Sequence, residues 1–351
     1  MAKFSNVKKP AMFIPIFDYL QSIGNIDYTD DYLNDIHLLN PTKTHLVQGS
    51  IDEDIVKEIN LLTPIKYEDI QDADGYIYIF VLGHNFSSTD CSPVIRIKDG
   101  NTWQMPNLHT GIVNFESQAS PPTYNGFSIW KAKYNNIDQI NGFEIRIAGH
   151  SNASGGYVKT GCVSICSKWN PPHNPDLSLK MTRDFDGVKT TTTKGGATIS
   201  NASYTRGGTF WANNYAWELS GDDYDNSNIN DMSNRSKQRT LGRRTWSMNF
   251  SYLQPSDLMP KFEGMDSYET EFTTGEADDN SGSILESKSF FARVLNRVQG
   301  SHIPFIFLPN DTDPNYNPDQ WAIVRFNQKN FSISQKAPEL YSMSMKLRES
   351  F

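Results

Sequence analysis

Cys162 and Cys166 stand four residues apart, and His173 follows them. Zinc centres use thiolates and imidazoles at such spacings, but they need four ligands and are built on turns. Here a fourth ligand is missing, and the two cysteines share one side of an alternating segment. They read as buried thiols. With Cys91 they make three cysteines, an odd and small number that gives no disulfide framework. The histidines are His37, His45, His84, His109, His150, His173 and His302, and none falls in a metalloprotease spacing. The run Asn310-Asp-Thr-Asp-Pro-Asn315 places oxygen ligands at alternate positions, but it lacks the central glycine and the distal bidentate glutamate of a calcium loop. An Asx-rich turn is the better reading. The chain has no nucleophile elbow, phosphate loop or dinucleotide fingerprint. Asp and Glu are plentiful, yet a glycosidase pair is defined by separation in space. A polysaccharide hydrolase therefore rests on the supply of carboxylates alone. No catalytic residue, metal or cofactor is expected, and the protein is not expected to be an enzyme.

Two constellations have chemistry of another kind. Trp103, His109, Tyr124 and Trp130 lie on or near loops of the front half and could stack on sugar rings. The opposing reading is that they fill a sandwich core, as tryptophans usually do. Arg235, Lys237, Arg239, Arg243 and Arg244 form the one basic cluster of an acidic chain. The segment carrying Glu263, Asp266, Glu269, Glu271, Asp278 and Asp279 offers it a partner of opposite sign. On different edges of one subunit, these two segments would pair between neighbouring copies and set their register. That is favoured over nucleic acid, because the formal net charge is −8.

The elements that must position these residues are strands. In the segment 243–252, Trp246, Met248, Phe250 and Tyr252 alternate with Thr245, Ser247, Asn249 and Ser251, giving a strand with one dry aromatic face. Tyr341, Met343, Met345 and Leu347 repeat that pattern near the end of the chain. Residues 76–82 form a continuous apolar run, which predicts a strand buried on both faces. Shorter strands are expected at 94–97, 127–130, 143–147 and 162–166, with turns at Asp99-Gly100, Asn125-Gly126 and Asn141-Gly142. Pro15 interrupts the apolar stretch 11–20, which predicts an edge strand or packed arm. Residues 177–182 and 188–193 are expected to form a hairpin across Asp186-Gly187, ended by Gly195-Gly196. Phe210, Trp211, Tyr215 and Trp217 form an aromatic cluster, and residues 222–237 read as a polar loop. One helix is expected over about 284–299, with a Ser283/Glu286 capping box, Gly300 past its end, and Phe290, Val294 and Val298 on one face. Residues 304–308 read as a buried strand. The segments 321–326 and 331–333 are expected to pair with each other.

The chain of 351 residues is 37% hydrophobic and 12% aromatic, enough for a substantial core and, by length, two domains. The proline-rich stretch 169–175 is the expected boundary, giving a front half 1–171 and a back half 172–351. No run approaches the roughly 20 apolar residues of a membrane span, and the N-terminal residues lack a signal-peptide core. Folding in a reducing cytoplasm is the expectation. The fold class is mainly β: a jelly-roll or β-sandwich front half and a β-sandwich back half with one flanking helix.

The strand rhythm of the front half and its Gly83-His84-Asn85 step resemble the discoidin or galactose-binding-like jelly rolls. The back half resembles the tail structural proteins of tailed bacteriophages, the group of distal tail proteins and tail-tube subunits. The residues behind this are Pro172-His-Asn-Pro-Asp-Leu177, Gly242-Arg-Arg-Thr-Trp246 with Phe250-Ser-Tyr-Leu253, His302-Ile-Pro-Phe-Ile-Phe307, and Asp319-Gln-Trp-Ala-Ile-Val-Arg-Phe326. The resemblance implies a structural virion protein assembled in a host cytoplasm. It would form a ring, hexameric in that family, with other tail proteins as partners and DNA only passing through the channel. The ring would support host-recognition parts near the tube–tip junction. The alternative is a receptor-binding protein that holds host surface glycan through the front jelly roll.

Overall fold

The computed structural model describes residues 8–27, 35–40, 45–47, 54–116, 120–123, 126–148, 158–184, 188–202, 243–258, 288–312 and 320–350. The aromatic cluster 210–217, the polar loop 222–237, the capping box and the acidic segment 263–279 lie outside them.

The fold is mainly β, as expected, with large antiparallel sheets and few helices. The front half contributes Ala11–Pro15 (β1), Ile26–Asp27 (β2), His45–Val47 (β3), Ile55–Lys66 (β4), Ile77–His84 (β5), Ser92–Asp99 (β6), Thr102–Gln104 (β7), Leu108–Val113 (β8), Gly126–Lys133 (β9), Gln139–Ala148 (β10), Val158–Thr160 (β11) and Cys162–Trp169 (β12). The back half contributes Lys180–Asp184 (β13), Val188–Thr192 (β14), Thr198–Ala202 (β15), Arg243–Leu253 (β16), Phe305–Leu308 (β17), Ala322–Phe326 (β18), Ile333–Ala337 (β19) and Leu340–Glu349 (β20). One long sheet runs β13-β16-β20-β18-β17-β1-β12-β5-β9-β8, with β19 on β20. A second runs β2-β4-β10-β6-β7. The pairs β3–β11 and β14–β15 stand apart.

The front half is a sandwich. Ile77, Ile79, Val81, Trp130, Val163 and Ile165 of the long sheet meet Ile59, Ile95, Ile97, Phe143 and Ile145 of the second sheet, with Phe17 and Leu20 of the helix Ile16–Ser22 (α1) among them. The opposite side of β5 is apolar too: Tyr78, Phe80 and Leu82 pack with Phe13, Phe127, Cys162 and Cys166. The continuous run 76–82 is thus buried on both faces, as its pattern required.

In the back half, Trp246, Met248 and Phe250 pair in register with Leu347, Met345 and Met343. Phe290, Val294 and Val298 cover that apolar face. The expected alternation fails at Tyr252. A bulge follows Phe250, Tyr252 takes φ +63 and is exposed, and Leu253 turns inward instead.

The strand β1 corrects the expectation of an edge or arm. It lies between β12 and β17, fully buried. Pro15 is tolerated because pairing with β17 ends at Phe13, so its missing N–H breaks no bond on that side. Through β1 the long sheet continues across the proline-rich stretch 169–175. Asp99-Gly100 is a turn, with Gly100 at φ +57 opening the two-residue β6–β7 loop. Asn141-Gly142 is not a turn but a bulge inside β10. A Cβ on Gly142 would meet the Ile59 carbonyl oxygen at 2.8 Å. The expected hairpin of 177–182 with 188–193 is also corrected. β13 pairs with β16, and β14 folds back on β15 around Gly195-Gly196. Likewise β19 pairs with β20 rather than with β18, because the short Ala337/Leu340 connection brings it there first. The described part of the expected helix is a π-helical segment, Phe291–Leu295, in which Asn296 N–H donates to Phe291 O at 2.8 Å. Gly300 past its end is left-handed, φ +70.

Candidate functional site

The three sugar-contact candidates that are described do not converge on one exposed site. Trp130 is fully buried and stacks on Phe115, ring centroids 4.3 Å apart at 12°. It fills the sandwich, which removes it from any exposed sugar site. His109 is half-buried on β8, its ring 6.2 Å from Phe115. Trp103 lies on the outer face of the second sheet. Arg96 and Lys98 reach its ring at 5.9 and 5.5 Å, and Arg96 Nε donates to the buried Glu144 Oε1 at 2.6 Å. Tyr124 lies outside the described residues.

Of the inter-subunit candidates, Arg244 is committed within the chain. Its Nε donates to Glu349 Oε1 at 2.7 Å, a second guanidinium nitrogen donates to Trp321 O at 3.0 Å, and the group lies 5.1 Å over the Trp246 ring. Such a fork ties β16 to β20 and leaves little for a neighbour. Arg243 opens β16 opposite Asp184 and is half-buried. Arg235, Lys237, Arg239, Glu263, Asp266, Glu269 and Glu271 lie outside the described residues.

Among the described residues, His84 and Ser128 form an arrangement that resembles a nucleophile with its base, Nε2 and Oγ being 2.9 Å apart. The proton is on the wrong side. His84 Nδ1 accepts the Phe86 N–H at 3.3 Å, so Nε2 carries hydrogen and donates to the serine. Ser128 Oγ in turn donates to Asn114 O at 3.1 Å. Both side chains are fully buried, and burial pushes the imidazole down to about 3. The pair closes a core network and cannot activate a hydroxyl. Burial also raises the thiols of Cys162 and Cys166 far above the range of a reactive cysteine. Asn310 Oδ1 accepts from the N–H and hydroxyl of Thr312, the Asx turn expected there. Among the described residues, no group of three or more His, Cys, Asp or Glu side chains could hold a metal ion. None of their helices is long and apolar enough to cross a membrane.

Two features were not read from the sequence. The first is an open cleft of ≈ 720 Å³ at one end of the front sandwich. Its walls are the 3-10 turn Tyr67–Asp69 and the β9–β10 connection, and it is lined by Tyr67, Tyr134, Gln71, Asn135, Asn136 and Gln139, among others. Its residues come from two segments about 65 positions apart with no shared motif, so only the β4–β10 register, which sets Lys66 opposite Gln139, brings them together. The second is the β14–β15 ribbon. It pairs with no other described strand, and every described residue of its two strands is exposed. Val188 and Ile199 sit on opposite faces of it, 43% and 59% exposed. Before it in the chain, β13 ends the long sheet of described strands with Met181 half in solvent, and Leu177, a few residues earlier, is fully exposed. The other end of the sheet, β8, presents Leu108.

No family model, curated protein or solved structure matches this chain.

Proposed function

We propose that the protein is a structural subunit that assembles head to tail with copies of itself, as a ring in the tail of a tailed bacteriophage. In that ring it would support host-recognition parts. The observation that carries this reading is the β14–β15 ribbon. A two-stranded ribbon alone in water is marginal, and a β-ribbon with apolar residues open on both faces needs a surface to lie on. Among the described strands, β13 and β8 lie at opposite ends of one sheet, each paired on one side only. Different edges meeting in neighbouring copies give a heterologous contact, the kind that closes into rings. The commitment of His84, Ser128 and the cysteines to the core supports a role without catalysis. A net charge of −8 suits a channel wall that does not hold DNA.

Light scattering on the purified chain, with negative-stain images of the same sample, tests this. Rings with a central hole are the expected result. A chain that stays monomeric at high concentration overturns self-assembly.

A further inference from the structure

We infer that the cleft between the turn Tyr67–Asp69 and the β9–β10 connection is a binding site for a neutral saccharide. The inference is independent of ring assembly. The cleft is a built one. Tyr67 N–H donates to Asp138 O at 3.0 Å, tying one wall to the other. Tyr67 hydroxyl donates to Gly75 O at 3.0 Å and accepts the Tyr134 N–H at 3.2 Å. The two rings meet edge to face, 6.1 Å apart, as a floor. Behind the turn, Arg293 and Arg297 of the back half hold the Glu68 and Asp69 carbonyls at 3.3 and 2.6 Å. Walls fixed from several directions lose little entropy when a ligand arrives.

The rim decides the ligand. The side chains of Gln71, Asn135, Asn136 and Gln139 border the cleft, and among the described residues none of the four has a hydrogen-bond partner. Each carboxamide offers a carbonyl acceptor and an NH₂ donor, the pairing that neighbouring sugar hydroxyls, each donor and acceptor, satisfy. Lys66 and Glu68 lie 3.7 Å apart and offset each other's charge, while Asp138 keeps its own. The cleft is therefore neutral to acidic, which disfavours uronates, sialic acids and phosphosugars. A volume of ≈ 720 Å³ holds a short oligosaccharide and lies within the usual range of small-molecule sites. Tyr67 and Tyr134 are almost fully buried, so the sugar would rest on their edges rather than stack on their faces.

The test uses the full chain on an array of neutral and acidic saccharides, followed by calorimetry with the best ligand. A neutral saccharide is expected to bind. The double variant Asn135→Ala/Gln139→Ala, changed at exposed positions and checked by its melting curve, should weaken it about tenfold or more. Trp103→Ala should leave affinity unchanged. The proposal is overturned if no neutral saccharide binds, if only acidic ones do, or if affinity survives the double variant. Loss on Trp103→Ala alone would move the site to the outer sheet face and also overturn it.

Discussion

The guanidinium of Arg297 donates to the Asp69 carbonyl at 2.6 Å, across 228 positions of sequence. A second nitrogen of the same group donates to Ser167 at 3.1 Å. One buried side chain just past the π-helical segment thus joins the turn beneath the cleft to the strand β12. Asp69 lends it a favourable charge, but burial dominates and lowers the arginine to about 10, so it stays a cation at neutral pH.

Replacing Arg297 with Met keeps most of the volume and removes every donor. The Asp69 carbonyl and the Ser167 hydroxyl then lose that partner in the interior. The expected cost is about 2–4 kcal/mol, read as a lowered urea midpoint. A midpoint within error of the parent would show that these bonds add nothing to the β1–β17 pairing and the apolar packing that also join the two halves.

Titration should act in two opposed directions. His84 and His37 are lowered by burial to about 3 and about 4. The unfolded chain therefore binds more protons at these sites, so their contribution is present above about pH 6.5 and is lost as pH falls through their folded values. Asp18 runs the other way. Burial outweighs the Leu39 amide that donates to it at 3.1 Å and raises it to about 7. Its contribution is present below about pH 4 and is lost as pH rises through 7. Asp18→Asn should thus gain in melting temperature over the parent at pH 8, keep only part of that gain at pH 5 and lose it by about pH 4. Equal differences at all three pH values would rule out a carboxyl that titrates near neutrality.

Gly142→Ala tests the bulge in β10. The new methyl would approach the Ile59 carbonyl oxygen at 2.8 Å and the Asn60 side-chain oxygen at 3.3 Å, so the second sheet must shift. A loss of about 1–3 kcal/mol in chemical denaturation is expected. Unchanged stability would mean that β4 and β10 pair more loosely there.

What the sequence made legible follows from the range of the interaction that decides each feature. Alternation is local, so β16, β20 and the doubly buried β5 could be read from their own residues. Pairing is not local. Nothing in residues 11–15 announces that β12 and β17 will flank them, and the proline points the other way until its place at the strand end is known. Trp130 was ambiguous for a similar reason: its stacking partner, Phe115, lies in a separate segment. The cleft was invisible because isolated Asn and Gln read as turn residues, and only the fold brings them together. A π-helical segment keeps the apolar face of a helix in sequence, so Phe290, Val294 and Val298 were placed correctly. The inward reach of Arg293 and Arg297 was not foreseen, since charged residues on a helix usually face water.

The ribbon yields the sharpest separation between folding and assembly. Its described residues are exposed, and the strands β14 and β15 pair only with each other among the described residues. Val188→Asp with Ile199→Asp therefore places two charges where water already reaches, and the melting temperature of the monomer should move by less than about 2 °C. If neighbouring copies bury these faces, the same charges must be desolvated without a partner, which costs several kcal/mol per contact. Sedimentation of the double variant should then show monomer at concentrations where the parent assembles. Assembly that persists would place the contact on the sheet edges β13 and β8 instead, and would leave the ribbon without a part in it.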